Sequence, residues 1–186
     1  MIKSLTLWQP HATLVARGAK RLETRSWQTS YRGPIAIHAA KNSPRSWAKL
    51  AENGLATTPP HPAFIEELEL LCGTDALGLP DLAQLPSGVI VAVGLLVDVR
   101  PIDIFGDPEG WSITEEERAF GVYGSGRFAW FFEDVRPLRP PYFPIRGHQQ
   151  LWNITADDYE AALDLSDAPL RYVAPEDRFA ATEPGR

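Results

Sequence analysis

The chain has one cysteine, Cys72, among 186 residues, so no disulfide can form within it. With only four histidines beside that cysteine, a cysteine-rich zinc site is excluded, and no two histidines have metal-ligand spacing. No apolar run approaches the ~20 residues needed to cross a bilayer. The opening Met1-Ile2-Lys3-Ser4-Leu5 lacks the basic and apolar regions of a signal peptide. These absences lead us to expect a cytoplasmic monomer that needs no membrane, no metal and no other cofactor, and that is held together by packing. At 44% hydrophobic and 23% charged, the composition excludes collagenous, coiled-coil and wholly disordered chains. A length near the ~150 residues typical of a domain gives one core.

Cations are also in the minority, 18 against 24 acidic residues, for a net charge of −6. That balance alone argues against a nucleic-acid partner, but the charge is unevenly placed. Residues 1–50 carry Lys3, Arg17, Lys20, Arg21, Arg25, Arg32, Lys41, Arg45 and Lys49 against the single acid Glu23, a net of +8, and the remainder carries −14. A compact basic region on an acidic body still attracts phosphate, because salt screens charges beyond ~8–10 Å. A surface that interleaves both signs would accommodate the same residues without any ligand.

Residues 4–8 read as a short apolar strand stopped by Gln9-Pro10. His11 to Arg17 follows as a helix that Gly18 caps. Strands are expected over Arg21 to Trp27 and Ile35 to Ala39, separated by the turn Tyr31-Arg32-Gly33-Pro34. Helices are expected over Ser46 to Asn53 and Ala63 to Leu71, the second presenting Phe64, Ile65, Leu68 and Leu71 on one face. A proline-containing loop, Thr57 to Pro62, joins them. The β-branched run Gly88 to Val99 fits a central strand buried on both faces, with Gly94 marking a bulge or bend. Arg127 to Val135 and the region around Gln150-Leu151-Trp152 supply the last strands, and Ala156 to Leu163 a short helix. The expected architecture is α+β: a small mixed-topology β-barrel with flanking helices over 1–155, then over 156–186 that short helix and a loosely docked tail.

The most informative segment is Gly18-Ala19-Lys20-Arg21-Leu22-Glu23-Thr24-Arg25-Ser26-Trp27. Strand alternation puts Leu22, Thr24 and Ser26 on one face and Arg21, Glu23 and Arg25 on the other. A carboxylate between two guanidiniums can aim an arginine fork at a phosphate or a base edge. An ordinary surface ion-pair ladder has the same pattern and contributes little to stability. His38, on a strand face shared with Ala36 and Ala40, is a candidate base or ligand group near Lys41, or a satisfied structural histidine. Gly124-Ser125-Gly126 precedes a strand and opens no helix, so it reads as a turn, not a phosphate loop. Glu115-Glu116-Glu117 after Thr114 reads as the acidic first turn of a helix, placed to bring a carboxylate over a cleft. Arg146 can add a cation to the ligand face.

The spaced residues Gly18, Lys20, Glu23 and Arg25 form the pattern G-x-K-x-x-E-x-R, which resembles the signature of the ASCH family. The likeness extends through Leu7-Trp8-Gln9-Pro10-His11-Ala12, Tyr31-Arg32-Gly33-Pro34, Ile37-His38-Ala39-Ala40-Lys41, Gly88-Val89-Ile90, Arg127-Phe128-Ala129-Trp130, Pro144-Ile145-Arg146-Gly147 and Leu151-Trp152. It implies a fold similar to PUA, the RNA-binding pseudo-barrel, with a ligand cleft beside the first helix and the signature strand. It further implies that RNA, other nucleic acid, or a nucleotide or modified nucleoside binds there. Trp8, Gln9, Lys20, Glu23, Arg25, Trp27, Arg32, His38, Lys41 and Arg146 are the expected ligand contacts. Lys20 and Arg25 would meet phosphate or a base, Glu23 a base amino group, and Trp8 or Trp27 would offer a stacking face. Some relatives are proposed ribonucleases. One branch hydrolyses N4-acetylcytidine nucleosides with a threonine nucleophile at the position of Glu23. A hydrolase using Lys20 and Glu23 is therefore the alternative to a binding module.

Overall fold

The computed structural model describes residues 2–53, 61–102 and 113–166. Among the described residues seven strands and five α-helices follow in the order β1 (Ile2–Leu7), α1 (His11–Arg17), β2 (Leu22–Arg25), β3 (Gly33–Ala39), α2 (Trp47–Glu52), α3 (Pro62–Cys72), β4 (Val89–Pro101), α4 (Glu115–Arg118), β5 (Phe128–Pro137), β6 (Phe143–Pro144), β7 (Leu151–Ile154) and α5 (Ala156–Asp164), with a 3₁₀ turn at Leu82–Gln84. Most of the expected proline loop and the tail beyond residue 166 lie outside the described residues.

Local chemistry places these boundaries. Gly18 ends α1 in the left-handed conformation at φ 79°, which costs a residue without a Cβ little, and its N–H donates to the Val15 carbonyl. Ser46 caps α2 by accepting from the Lys49 amide, and Thr155 caps α5 by accepting from Asp158. Each such cap contributes ~1 kcal/mol. The β-branched run becomes β4, which lies between β3 and β5 and also carries β6.

The sheet runs β2-β5-β4-β3-β1-β7. β1 and β3 are parallel and the other pairings are antiparallel, giving the mixed topology expected. It is a half-barrel: among the described residues no ladder joins the outer strands β2 and β7. The register between β4 and β5 shifts between Val93 and Leu95, and again between Leu96 and Asp98. A Cβ at Gly94 would stand 2.9 Å from the Glu133 carbonyl oxygen, so glycine lets the two backbones approach at that bend. The curl is deep enough that Arg25 on β2 donates from Nη2 to the Thr6 carbonyl of β1 at 2.9 Å, across the mouth left by the unclosed barrel.

Helix α1 sits between two apolar layers. Its Ala12, Val15 and Ala16 pack on Leu5, Leu7, Ile35, Ile37 and Trp130 of the sheet. Its Leu14 turns toward Leu50, Phe64, Leu68, Leu82 and Phe120 of the helical layer. Burying each of these larger side chains stabilises the fold by ~1.5–3 kcal/mol. The end of α1 and the start of β2 are thereby fixed relative to β1.

Candidate functional site

Two adjoining clefts open along the mouth of the half-barrel. The first, about 460 Å³, lies between β1 with the start of α1 on one side and β2 on the other, and includes Trp8, Glu23, Arg25, Trp27 and Arg127. The second, about 770 Å³, lies between the end of β3 and the segment joining β6 to β7, and includes His38, Lys41, Arg146 and Gly147. Thr6, His148 and Gln149 border both, so the two form one continuous groove.

The alternation expected for the signature strand puts Glu23 and Arg25 together, with Arg25 Nε 3.1 Å from Glu23 Oε1. That approach is angled so that the buried Nε–H is left without a hydrogen bond. Arg127 is in the same position: its Nη2 donates to the Thr24 carbonyl at 2.8 Å while its own buried Nε–H has no partner. Arg25 and Arg127 thus both border the first cleft, each with one buried N–H that makes no hydrogen bond. Trp8 is 44% exposed on the rim, whereas Trp27 is half-buried and packs edge-on against the core Trp130 at 4.7 Å between ring centroids.

Lys20 departs from the expected arrangement in depth. It is 2% exposed and borders neither cleft. Its Nζ donates to the Tyr123 hydroxyl at 3.2 Å, lies over the Tyr123 ring and stands 3.8 Å from Glu23 Oε2. Burial lowers its pKa from the ordinary lysine value, an effect opposed by the Glu23 and Glu117 carboxylates. Gly121 makes room for the amine, since a Cβ there would be 2.8 Å from Nζ. Lys20 therefore stands behind Glu23 and backs the carboxylate from the interior.

Glu117 has a role that its place in an acidic run did not reveal. It is 4% exposed and accepts the backbone N–H groups of Arg21 and Leu22, each at 3.0 Å, together with the Tyr123 hydroxyl at 2.6 Å. Arg21 accordingly approaches Glu117, 3.9 Å from Nε. Burial and the neighbouring Glu117 charge push the Tyr123 phenol up, which keeps its proton in that bond.

Two other expected contacts lie outside both clefts. Gln9, 1% exposed, accepts the Thr13 amide and donates to Thr13 Oγ1 and the Pro86 carbonyl, fastening the start of α1 to the chain before β4. Arg32 donates to the Thr29 and Tyr31 carbonyls and pairs with Asp98 at 3.3 Å. Arg127, Thr6, His148 and Gln149 were not anticipated. Of these, Arg127 carried a sequence signal as the cation opening a core strand that pairs with β2. Cys72, on α3 outside both clefts, is a poor nucleophile, its thiol pushed up to about 11 by burial with help from Asp81. Among the described residues no cluster could hold a metal ion, and no helix is long and apolar enough to cross a membrane.

The sequence model of the ASCH domain matches residues 5–142. No curated protein matches the chain. Among solved structures it is similar to ASCH from Zymomonas mobilis, at 12% identity over 90% of this chain and 96% of that one, with a TM-score of 0.46. It is also similar to a tyrosine-to-phenylalanine variant of that protein, at 11% identity over 89% of this chain and 99% of that one, TM-score 0.46.

Proposed function

Because the chain belongs to the ASCH domain family, we propose that it recognises single-stranded RNA, seating one nucleotide in the cleft between β1 and β2. The observation that carries this reading is the pair of arginines on one cleft, Arg25 and Arg127, each with a buried Nε–H that makes no hydrogen bond. A buried donor whose hydrogen bond is unmade is costly, and a ligand with phosphate or carbonyl oxygens offers these guanidiniums further acceptors. Glu23 supplies the acceptor that a base amino group needs, and the exposed face of Trp8 supplies stacking, the usual way a protein holds a splayed-out base. The expected pathway of attraction is local: the basic groove acts at short range, while the acidic remainder of the chain is screened.

Recognition fits the geometry better than hydrolysis by Lys20 and Glu23. That reaction needs the Lys20 amine at the reacting atoms, and the amine is sealed beneath Glu23 and Tyr123. The test is binding of a mixed-sequence single-stranded RNA across a salt series, with product analysis of the recovered RNA and of N4-acetylcytidine. Salt-sensitive binding with both compounds recovered intact is expected, and Arg25→Ala and Arg127→Ala should each weaken it. Binding unchanged in both variants would remove the site assignment, and turnover by the parent protein would replace recognition by catalysis.

A further inference from the structure

The second cleft is lined by Lys41, Asn42 and Arg146 and by no carboxylate, in a chain whose acids outnumber its cations. Among the described residues neither Lys41 nor Arg146 has an ion-pair partner. Arg146 is presented from a backbone fixed on both sides. On one side the Ile145 carbonyl accepts from His38 Nε2 at 3.1 Å. On the other, Gly147 lies so close to the same ring that a Cβ there would stand 2.3 Å from His38 Cε1. His38 is itself 1% exposed and packs edge-on to Trp152 at 5.8 Å, and Trp152 Nε1 donates to Thr6, a residue common to both clefts. The backbone that carries Arg146 is therefore packed on buried His38, whose neighbour Trp152 reaches a residue of the first cleft.

We propose that this second cleft is a phosphate subsite, so that the ligand is an RNA strand of at least two nucleotides, with a base in the first cleft and the adjoining backbone phosphate on Lys41 and Arg146. The inference deepens the RNA-binding reading and rests on it. A strand suits the dimensions: a cleft of about 460 Å³ already falls in the range that holds a small ligand, and the larger cleft leads directly out of it. Cations facing a backbone phosphate contribute affinity without sequence preference, whereas contacts in the first cleft carry the base choice.

The experiment compares the parent protein with the double variant Lys41→Ala/Arg146→Ala and with Arg25→Ala. Lys41 and Arg146 are exposed, so their removal leaves the core intact. The probes are mixed-sequence single-stranded RNA, titrated at several salt concentrations, and mixed free ribonucleosides. The double variant is expected to bind the RNA about tenfold more weakly at low salt, with a salt slope shallower by about 0.7 for the one phosphate no longer neutralised, and to bind the nucleosides as the parent does. RNA affinity and slope equal to the parent's, with Arg25→Ala still impaired, would overturn the phosphate subsite and leave the RNA-binding reading standing. Weaker nucleoside binding by the double variant would assign these cations to the base site and overturn the strand assignment. No RNA binding by the parent would overturn both.

Discussion

The Glu117 carboxylate and the Leu22 backbone N–H, 95 residues apart in sequence, meet at 3.0 Å and fasten α4 to the first residue of the signature strand. The same carboxylate also accepts the Arg21 N–H and the Tyr123 hydroxyl, so a single buried side chain satisfies three donors. Tyr123 in turn accepts from Lys20, and Lys20 backs Glu23. The outer edge of β2 thus gains from α4 partners that no neighbouring strand among the described residues provides, and this holds Glu23 and Arg25 at the first cleft.

Glu117→Gln tests that fastening. The amide group can accept at only one of its two ends, so its NH₂ would face a backbone N–H or the Tyr123 hydroxyl in a buried place. Leaving such donors unsatisfied costs ~1–3 kcal/mol. A urea-unfolding midpoint lowered accordingly, with the slope unchanged, is expected. A midpoint equal to the parent's would mean that α4 does not hold β2.

Short-range parts of this arrangement were legible in the sequence, and the depth of its side chains was not. Helix α1 is legible at His11 to Arg17 because its cap and its apolar positions lie within one turn or two. The β4 strand is legible from its β-branched run, and Gly94 as its bend, because backbone approach demands glycine whatever the partner. Alternation placed Glu23 and Arg25 on one face, but alternation says nothing about what covers that face. Tyr123 and Glu117, about a hundred positions away, cover Lys20, and Glu117 also pairs with Arg21. The groove around Arg146 and His148 was likewise only partly legible: it forms where the chain between β6 and β7 returns to the end of β3, and no local period marks that return.

Gly94→Ala probes the bend that opens the mouth. The added methyl would stand 2.9 Å from the Glu133 carbonyl oxygen and 3.3 Å from Val135 Cα, both backbone atoms that cannot turn aside. Overpacking of this kind costs ~1–3 kcal/mol. Gly124→Ala is the control, because nothing lies within 4 Å of its added Cβ and its φ is not positive. Thermal unfolding should separate the two, and equal melting temperatures would show that β4 and β5 yield at the bulge.

Acidification should weaken the protein through His38. Burial holds its pKa below the ordinary 6.5, opposed by its bond to the Ile145 carbonyl and reinforced by His148. The cations Lys41 and Arg146 border the same cleft and no carboxylate lines it. The unfolded chain therefore binds the proton more readily than the folded one. This contribution to stability is complete above the unfolded value of 6.5 and is lost as pH falls from there through the lower folded value. Urea midpoints compared between neutral and mildly acidic buffer should fall more for the parent than for His38→Gln, which retains an N–H for Ile145 without the titrating ring. An identical fall in both would assign the acid sensitivity elsewhere.

Trp8 and Trp27 border the same cleft and should respond oppositely to substitution, because one presents its face to solvent and the other is committed to the core. Stacking of a base on an aromatic ring is worth ~1–3 kcal/mol by alanine substitution. Trp8→Ala is therefore expected to weaken RNA binding by about tenfold or more with unfolding little changed, and Trp8→Phe to recover most of the affinity, since a smaller ring still offers a π-face. Trp27→Ala removes the edge-on contact with Trp130, and an aromatic pair of this geometry is worth ~0.5–1.5 kcal/mol beyond its buried area. Its main effect should be a lower melting temperature, with RNA affinity falling only as folded protein is lost. Titrating the labelled RNA against each variant, at a temperature where all remain folded, separates the two roles. A Trp27→Ala protein that is stable and fails to bind, beside a Trp8→Ala protein that binds normally, would move the stacking face from the rim of the cleft to its inner wall.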